Sequence, residues 1–226
     1  ELNELMERYG LDRNIVRDIH DENELPRVEF SDGKQYIFLR TPQKTKKGGV
    51  ITSPLLAIID DSNYFTLSTH DSLLPKELIA SSVPLHGTTS LALLLGTVAA
   101  LISRYEELIQ HTSQTIKDTG RRLRTHEVTN KDFIHFVTVE DNLNEYEMNL
   151  NGILAVTRRL RENNHDMLGG SDIEALEDIS LHIQQLLVAI SSYAHSVQSI
   201  RNAYGTIANN TLNERMKTLT VFTVII

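Results

Sequence analysis

SDIEALEDISLHIQQLLVAISSYAHSVQSIRNAYGTI, residues 171–207, is the stretch on which the fold turns. Its apolar residues are Leu176, Ile179, Ile183, Leu186, Ile190, Tyr193, Val197, Ile200, Tyr204 and Ile207, recurring at alternating intervals of three and four. That is period 3.5, the spacing of a helix packed lengthwise against a partner. Ser171, with Glu174 three residues on, predicts a capping box at its start, and no proline follows as far as Ile226. The reading is one helix of up to about 55 residues, roughly 80 Å long. Ordinary globular helices run about 8 to 20 residues, so a rod is expected.

A second stripe lies beside the first. It reads Asp178, His182, Gln185, Ala189, Ser192, Ser196, Ser199, Ala203, Thr206, Asn210 and Asn213. Between Asp178 and Glu214 the one formally charged residue is Arg201. A solvated helix face is normally rich in Glu and Lys, and a face buried in oil is apolar. Small, uncharged, hydrogen-bonding residues suit a narrow wet space enclosed by copies of the same helix. The expectation is a helix that packs against its own copies along one stripe and lines a hydrated channel with the next. A plain homomeric coiled coil with a poorly charged outer face has the same periodicity. Arg215 and Lys217 then stand where basic residues collect on the cytoplasmic side of a membrane, and LTVFTVII, 219–226, is read as continuing the helix into hydrocarbon. No stretch reaches the roughly 18 to 20 apolar residues of a full span.

Outward from the rod, two further long helices are expected, in LALLLGTVAALISRYEELIQHTSQTIKDTGRRLR, 91–124, and KDFIHFVTVEDNLNEYEMNLNGILAVTRRLREN, 131–163. The front is different. Leu2, Leu5, Met6 and Tyr9 share a helical face that Gly10 ends. VEFSDGKQYIFLRT predicts two strands around a Ser-Asp-Gly turn, and SPLLAIID with NYFTLSTH predicts two more around Asp60–Asn63. PQKTKKGG, 42–49, reads as a basic loop, and Pro75 suits the first turn of a helix. The fold class is therefore α+β. Residues 1–85 form an α/β domain with a mixed sheet, 86–168 a long helical pair, and 171–226 a stalk helix entering a membrane.

Composition narrows the function. The chain has 226 residues, 40% of them hydrophobic, a formal charge of −8 and no cysteine. The charge disfavours nucleic acid as a partner. The missing cysteines exclude disulfides, thiolate metal sites and a Cys nucleophile, and agree with a cytosolic setting. The sequence contains no Gly-rich phosphate loop, no HExxH and no G-x-S-x-G, and is not read as an enzyme. Glu140, Asp141, Glu145 and Glu147 read as a solvated helix face, and His20-Asp21-Glu22 as an exposed run dense in potential ligands.

NERMKTLTVFTVI, 213–225, resembles the stretch that opens the first membrane helix of the CorA family of divalent-cation transporters, where an Asn-Glu-x-Met-Lys-x-Leu-Thr run is characteristic. YGLDRNIVRDIHDENELPRVEFSDGKQYIFLR, 9–40, is similar to the family's amino-terminal segment, with Leu25-Pro26-Arg27-Val28-Glu29 in place of its Arg-Pro-Lys-Val-Glu-like run. LLAIIDDSNYFTLSTHD, 55–71, resembles its later strand pair. The order of elements matches along nearly the whole chain, although the family's first strand is expected to be missing.

The resemblance implies a homopentameric channel in the cell membrane for Mg²⁺, with Co²⁺ or Ni²⁺ as lesser substrates. This portion would be cytoplasmic. The family's Gly-Met-Asn selectivity signature is absent from this chain. Asn213, Met216 and Leu219 match pore-narrowing positions, with Thr223 on the next lumen-facing turn. Asp18 and Asp178 match a regulatory site where carboxylates of adjacent subunits face each other across a hard, oxygen-loving cation. His182, one turn from Asp178, would soften that site toward Zn²⁺ or Co²⁺. That keeps a ZntB-like zinc transporter as an alternative, beside a soluble helical oligomerisation module without a transport role.

Overall fold

The structure is a computed structural model in which residues 2–70, 90–124, 130–162 and 168–225 are described. Pro75 lies outside them, and so does the helix expected there.

The front begins with α1, Leu2–Tyr9, ended by Gly10 at φ +59°, and α2, Arg13–Arg17. Asp12 caps α2 by accepting from the Asn14 N–H at 2.9 Å. A single 3-10 turn, Asp18–His20, follows. The strands are β1, Arg27–Ser31; β2, Lys34–Lys44; β3, Val50–Ile59; and β4, Tyr64–Ser68. They lie in the order β1-β2-β3-β4, each pair antiparallel. The expected mixed sheet is thus, among the described residues, a purely antiparallel meander. Connections of two, five and four residues join neighbours directly, so no crossover is needed. At the first turn Asp32 (φ +48°) and Gly33 (φ +72°) both take the left-handed conformation, which matches the twist of a tight hairpin. The basic segment at 42–49 is only partly a loop, because β2 continues through Pro42 to Lys44 in register with β3.

Both faces of the sheet are covered. Ile37, Leu39, Leu55, Ala57 and Ile59 point toward the long helices. Tyr36, Phe38, Leu56 and Ile58 point toward Met6, Leu11, Ile15, Val16 and Ile19 of the short ones. That is why β2 and β3 read as continuous apolar runs rather than alternating ones.

The long helices are α3, Ser90–Arg124; α4, Asn130–Glu162; and α5, Gly170–Ile225, of 56 residues. Gly169 precedes α5, and its N–H donates to Asp172 Oδ2 at 2.9 Å. This reciprocal half of a capping box falls two residues earlier than the predicted Ser171–Glu174 pair. α5 runs antiparallel to α4, since Ser180 meets Thr157 at 3.0 Å and Arg201 meets Glu140 at 3.0 Å. It runs parallel to α3, with His182 beside Glu106 and Ile200 beside Gly120.

The apolar stripe of α5 is spent inside this bundle. Leu176, Ile183, Leu186, Ile190 and Val197 are buried in one core with Leu101, Tyr105, Leu108, Tyr146, Leu150 and Ile153. Burying each such side chain fully is worth about 1.5–3 kcal/mol. The expectation that this stripe packs against copies of the same helix is therefore corrected. Period 3.5 reports a lengthwise partner but not whose helix it is, and here α3 and α4 are themselves long enough to serve.

Candidate cation site and stalk lining

Asp18 closes α2, and its position is set by the turn that carries the chain toward β1. There it meets Arg27. One Arg27 nitrogen lies 2.8 Å from Asp18 Oδ2 and 2.6 Å from Glu29 Oε1, and another pairs with Glu24. The guanidinium carbon sits 4.2 Å from the Phe38 ring centroid, a cation–π contact. Burial opposes the charge on Arg27, but hydrogen bonds and attraction from Glu24 and Glu29 outweigh it and raise its pKa. Three carboxylates around one guanidinium leave an acidic surplus. Asp18 keeps 46% of its side chain exposed.

Asp178 is exposed on the first part of α5 and makes no hydrogen bond or ion pair among the described residues. No contact joins it to Asp18. Among the described residues no group of three His, Asp or Glu side chains is placed to hold a metal. Both carboxylates are hard oxygen donors, which fits Mg²⁺ in kind. The geometry for a complete site, however, is not supplied by one chain. His182 is half-buried, its Nε2 lying 3.2 Å from Glu106 Oε2 on α3. The partner the structure gives His182 is thus Glu106, 76 positions away, and not the Asp178 expected from the spacing.

Further along, the second stripe of α5 faces outward. Gln185, Ser192, Ser196, Ser199, Ala203 and Thr206 are exposed. Ser196, Ser199 and Thr206 satisfy their hydroxyls by donating to carbonyls one turn back, which leaves each oxygen's lone pairs toward solvent. Arg201 is folded back onto Glu140, so even the one charge of this region is tied to the bundle. Asn213 and Met216 are exposed, Met216 to 59%, and with Lys217 and Thr220 they line one concave strip of the helix. Leu219 and Thr223 are on the same rod, with side chains outside the described part. Among the described residues no helix is long and apolar enough to cross a membrane.

Two residues escaped the sequence reading. Glu106 gave no local signal, because its partner is 76 positions away. Arg27 was visible only as part of the Leu-Pro-Arg-Val-Glu run, which says nothing of the three carboxylates it gathers.

With the fold in hand, comparison with known proteins decides the family. The sequence profile described as CorA-like Mg²⁺ transporter protein matches residues 1–226. The chain belongs to the CorA-like Mg²⁺ transporter family. A sequence comparison with curated proteins finds no significant match. Among solved structures, the complete CorA magnesium transporter of Methanocaldococcus jannaschii superposes with a TM-score of 0.87 at 19% identity, covering 100% of this chain and 72% of the other. The soluble domain of the same CorA gives 0.79 at 17% identity, covering 89% and 81%. The ZntB cytoplasmic domain of Vibrio parahaemolyticus gives 0.74 at 12%, covering 92% and 84%. At these identities the likeness is one of fold. It confirms the α+β architecture of the CorA family, with sheet, helical pair and long final helix in that order.

Proposed function

We propose that this chain is the cytoplasmic regulatory and pore-mouth part of a homopentameric Mg²⁺ channel, closed by intracellular divalent cation at its subunit seams. Family membership supports the transport role. The observation that carries the rest is the outer stripe of α5. It is exposed, uncharged and rich in hydroxyls and amides, while the apolar stripe beside it is sealed in its own chain. Five copies ringed about this stripe would line a wet passage with weak oxygen ligands, which suits a hydrated ion that must bind and leave.

In this reading Asp18 of one subunit faces Asp178 of the next. Apart, the carboxylates repel; a hard cation with retained waters bridges them. High Mg²⁺ therefore favours the closed ring, and low Mg²⁺ lets the subunits splay, a shift set by differential affinity for two states. Asn213 offers an amide oxygen at the pore mouth, and Met216 and Leu219 form an apolar narrowing that closes by dewetting, with Thr223 beyond. Residues 1–85, 86–168 and 171–226 then act as sensor platform, brace and stalk. Co²⁺ and Ni²⁺ are expected as lesser cargo. His182 is already engaged by Glu106 on α3, which weakens a zinc alternative built on Asp178 and His182.

The test is Mg²⁺ uptake by the full-length protein in liposomes, with Asp18→Asn and Asp178→Asn combined. The double variant should keep conducting at internal Mg²⁺ that shuts the unaltered protein. Unchanged Mg²⁺ inhibition would refute the sensor, and uptake of Zn²⁺ but not Mg²⁺ would refute the cargo.

A further inference from the structure

On a chain of formal charge −8, one concavity is basic. It lies between α1 and α2, with a volume of about 340 Å³, and its lining includes Leu2, Met6, Arg13, Val16, Arg17 and His20. Among the described residues no Asp or Glu lines it. Arg13, Arg17 and His20 stand at i, i+4 and i+7, so the turns of α2 and the 3-10 segment bring all three to one side.

The partners of these groups differ. Arg13 pairs with Glu7 at 2.7 Å, but the two side chains are 62% and 70% exposed. An ion pair so solvated is weak and readily exchanged. Arg17 and His20 are exposed and have no hydrogen bond or ion pair among the described residues. Beneath them Met6 and Val16 are buried at 6% and 1% exposure, giving an apolar floor. The backbone is rigidly placed, since Val16 and Ile19 belong to the core against Tyr36 and Phe38.

We propose that this concavity binds a phosphorylated small molecule of the nucleotide type. Two forked guanidiniums and an imidazole match several phosphate oxygens, with the bidentate geometry that Arg supplies and Lys does not. The apolar floor takes a flat, weakly polar group such as a base. The site lies on the same short segment as Asp18, which follows Arg17 directly, so an occupant would sit beside the carboxylate assigned to the cation seam. The binding itself does not depend on that assignment.

The experiment is isothermal titration of the full chain, without added divalent cation, with ATP, pyrophosphate and adenosine as separate probes. ATP should bind most tightly, pyrophosphate less tightly, and adenosine not measurably. Arg17→Glu should weaken ATP binding at least about tenfold, because a charge-assisted contact becomes a repulsion. Arg158→Glu, an exposed change on α4, should leave it unaltered. Raising salt should weaken binding in the unaltered chain. Arg17 is exposed, so the variant is expected to keep its circular dichroism spectrum. Three results would overturn the proposal: no ATP binding by the unaltered chain, equal affinity in Arg17→Glu, or binding to vesicles of anionic lipid with none to ATP or pyrophosphate.

Discussion

Arg27 holds Asp18 at 2.8 Å, so the carboxylate proposed to meet a divalent cation already has a monovalent one. The two cations compete. Asp18 is 46% exposed and Arg27 30%, so the pair contributes little to stability, up to about 1 kcal/mol. Removing the guanidinium should release that much for metal binding. Arg27→Gln is predicted to lower the half-inhibiting Mg²⁺ concentration of the full-length channel, by up to about fivefold. An inhibition curve in liposomes measures it. A rise in that concentration, or no change, would mean that Arg27 does not guard a cation site.

Gly152 meets Pro26, the residue before β1, more closely than any side chain would permit. A Cβ there would stand 2.8 Å from Pro26 Cγ and 3.0 Å from its Cδ. On propensity alone, alanine in a helix is better than glycine by about 1 kcal/mol. Here overpacking against a rigid ring costs about 1–3 kcal/mol. Gly152→Ala is therefore predicted to be destabilising, with a lower midpoint in urea. A stabilised variant would show that α4 and Pro26 separate easily.

Asp60 holds the β3–β4 turn with one carboxylate. It accepts from the Ser62 N–H at 2.9 Å, the Asn63 N–H at 2.7 Å and the Asn63 amide nitrogen at 3.0 Å. Burial pushes its pKa up, but these bonds and Lys34 outweigh burial and leave it below the ordinary 3.8. A depressed pKa means that the unfolded chain binds the proton first. The stabilisation is thus complete above about pH 4 and fades as pH falls through the folded value. Asp60→Ala should cost about 1–2 kcal/mol at pH 7, and the gap to the unaltered protein should narrow in acid. Denaturant titrations at pH 7 and pH 3 report both.

Arg201 ties α5 to α4 through Glu140 at 3.0 Å, with side chains 39% and 31% exposed. A double-mutant cycle to alanine should give a coupling of about 0.5–1 kcal/mol that shrinks in high salt. Swapping the charges, Arg201→Glu with Glu140→Arg, should recover most of it. Zero coupling would place the stalk's attachment in the apolar stripe alone.

What could be read in the sequence follows from range. The hairpin at Asp32-Gly33 and the rod from residue 170 rest on neighbours a few positions apart, and both were legible. The runs YIFL and LLAII announced strands, but only the structure says that they are buried on two faces. The partner of the apolar stripe was misjudged, because Leu101 and Ile153 lie 82 and 30 positions from Ile183 and leave no mark on its spacing. The exposure of Asp178 agrees with its place at the head of the uncharged stripe. The knot around Arg27 was not legible, since a guanidinium's companions depend on how α2, the 24–29 segment and Phe38 come together.

The register of α5 carries one more consequence. Ile200 lies beside Gly120 and Arg201 beside Glu140, so the end of α3 at Arg124 falls level with about residue 204. The start of α4 at Asn130, ten residues before Glu140, falls level with about residue 211, so the remaining turns to Ile225 extend past the helical pair by roughly 20 Å. Such an overhang multiplies angle into distance: a tilt of about 8° where the rod leaves its bracing displaces residue 225 by nearly 3 Å, close to the width of a water molecule.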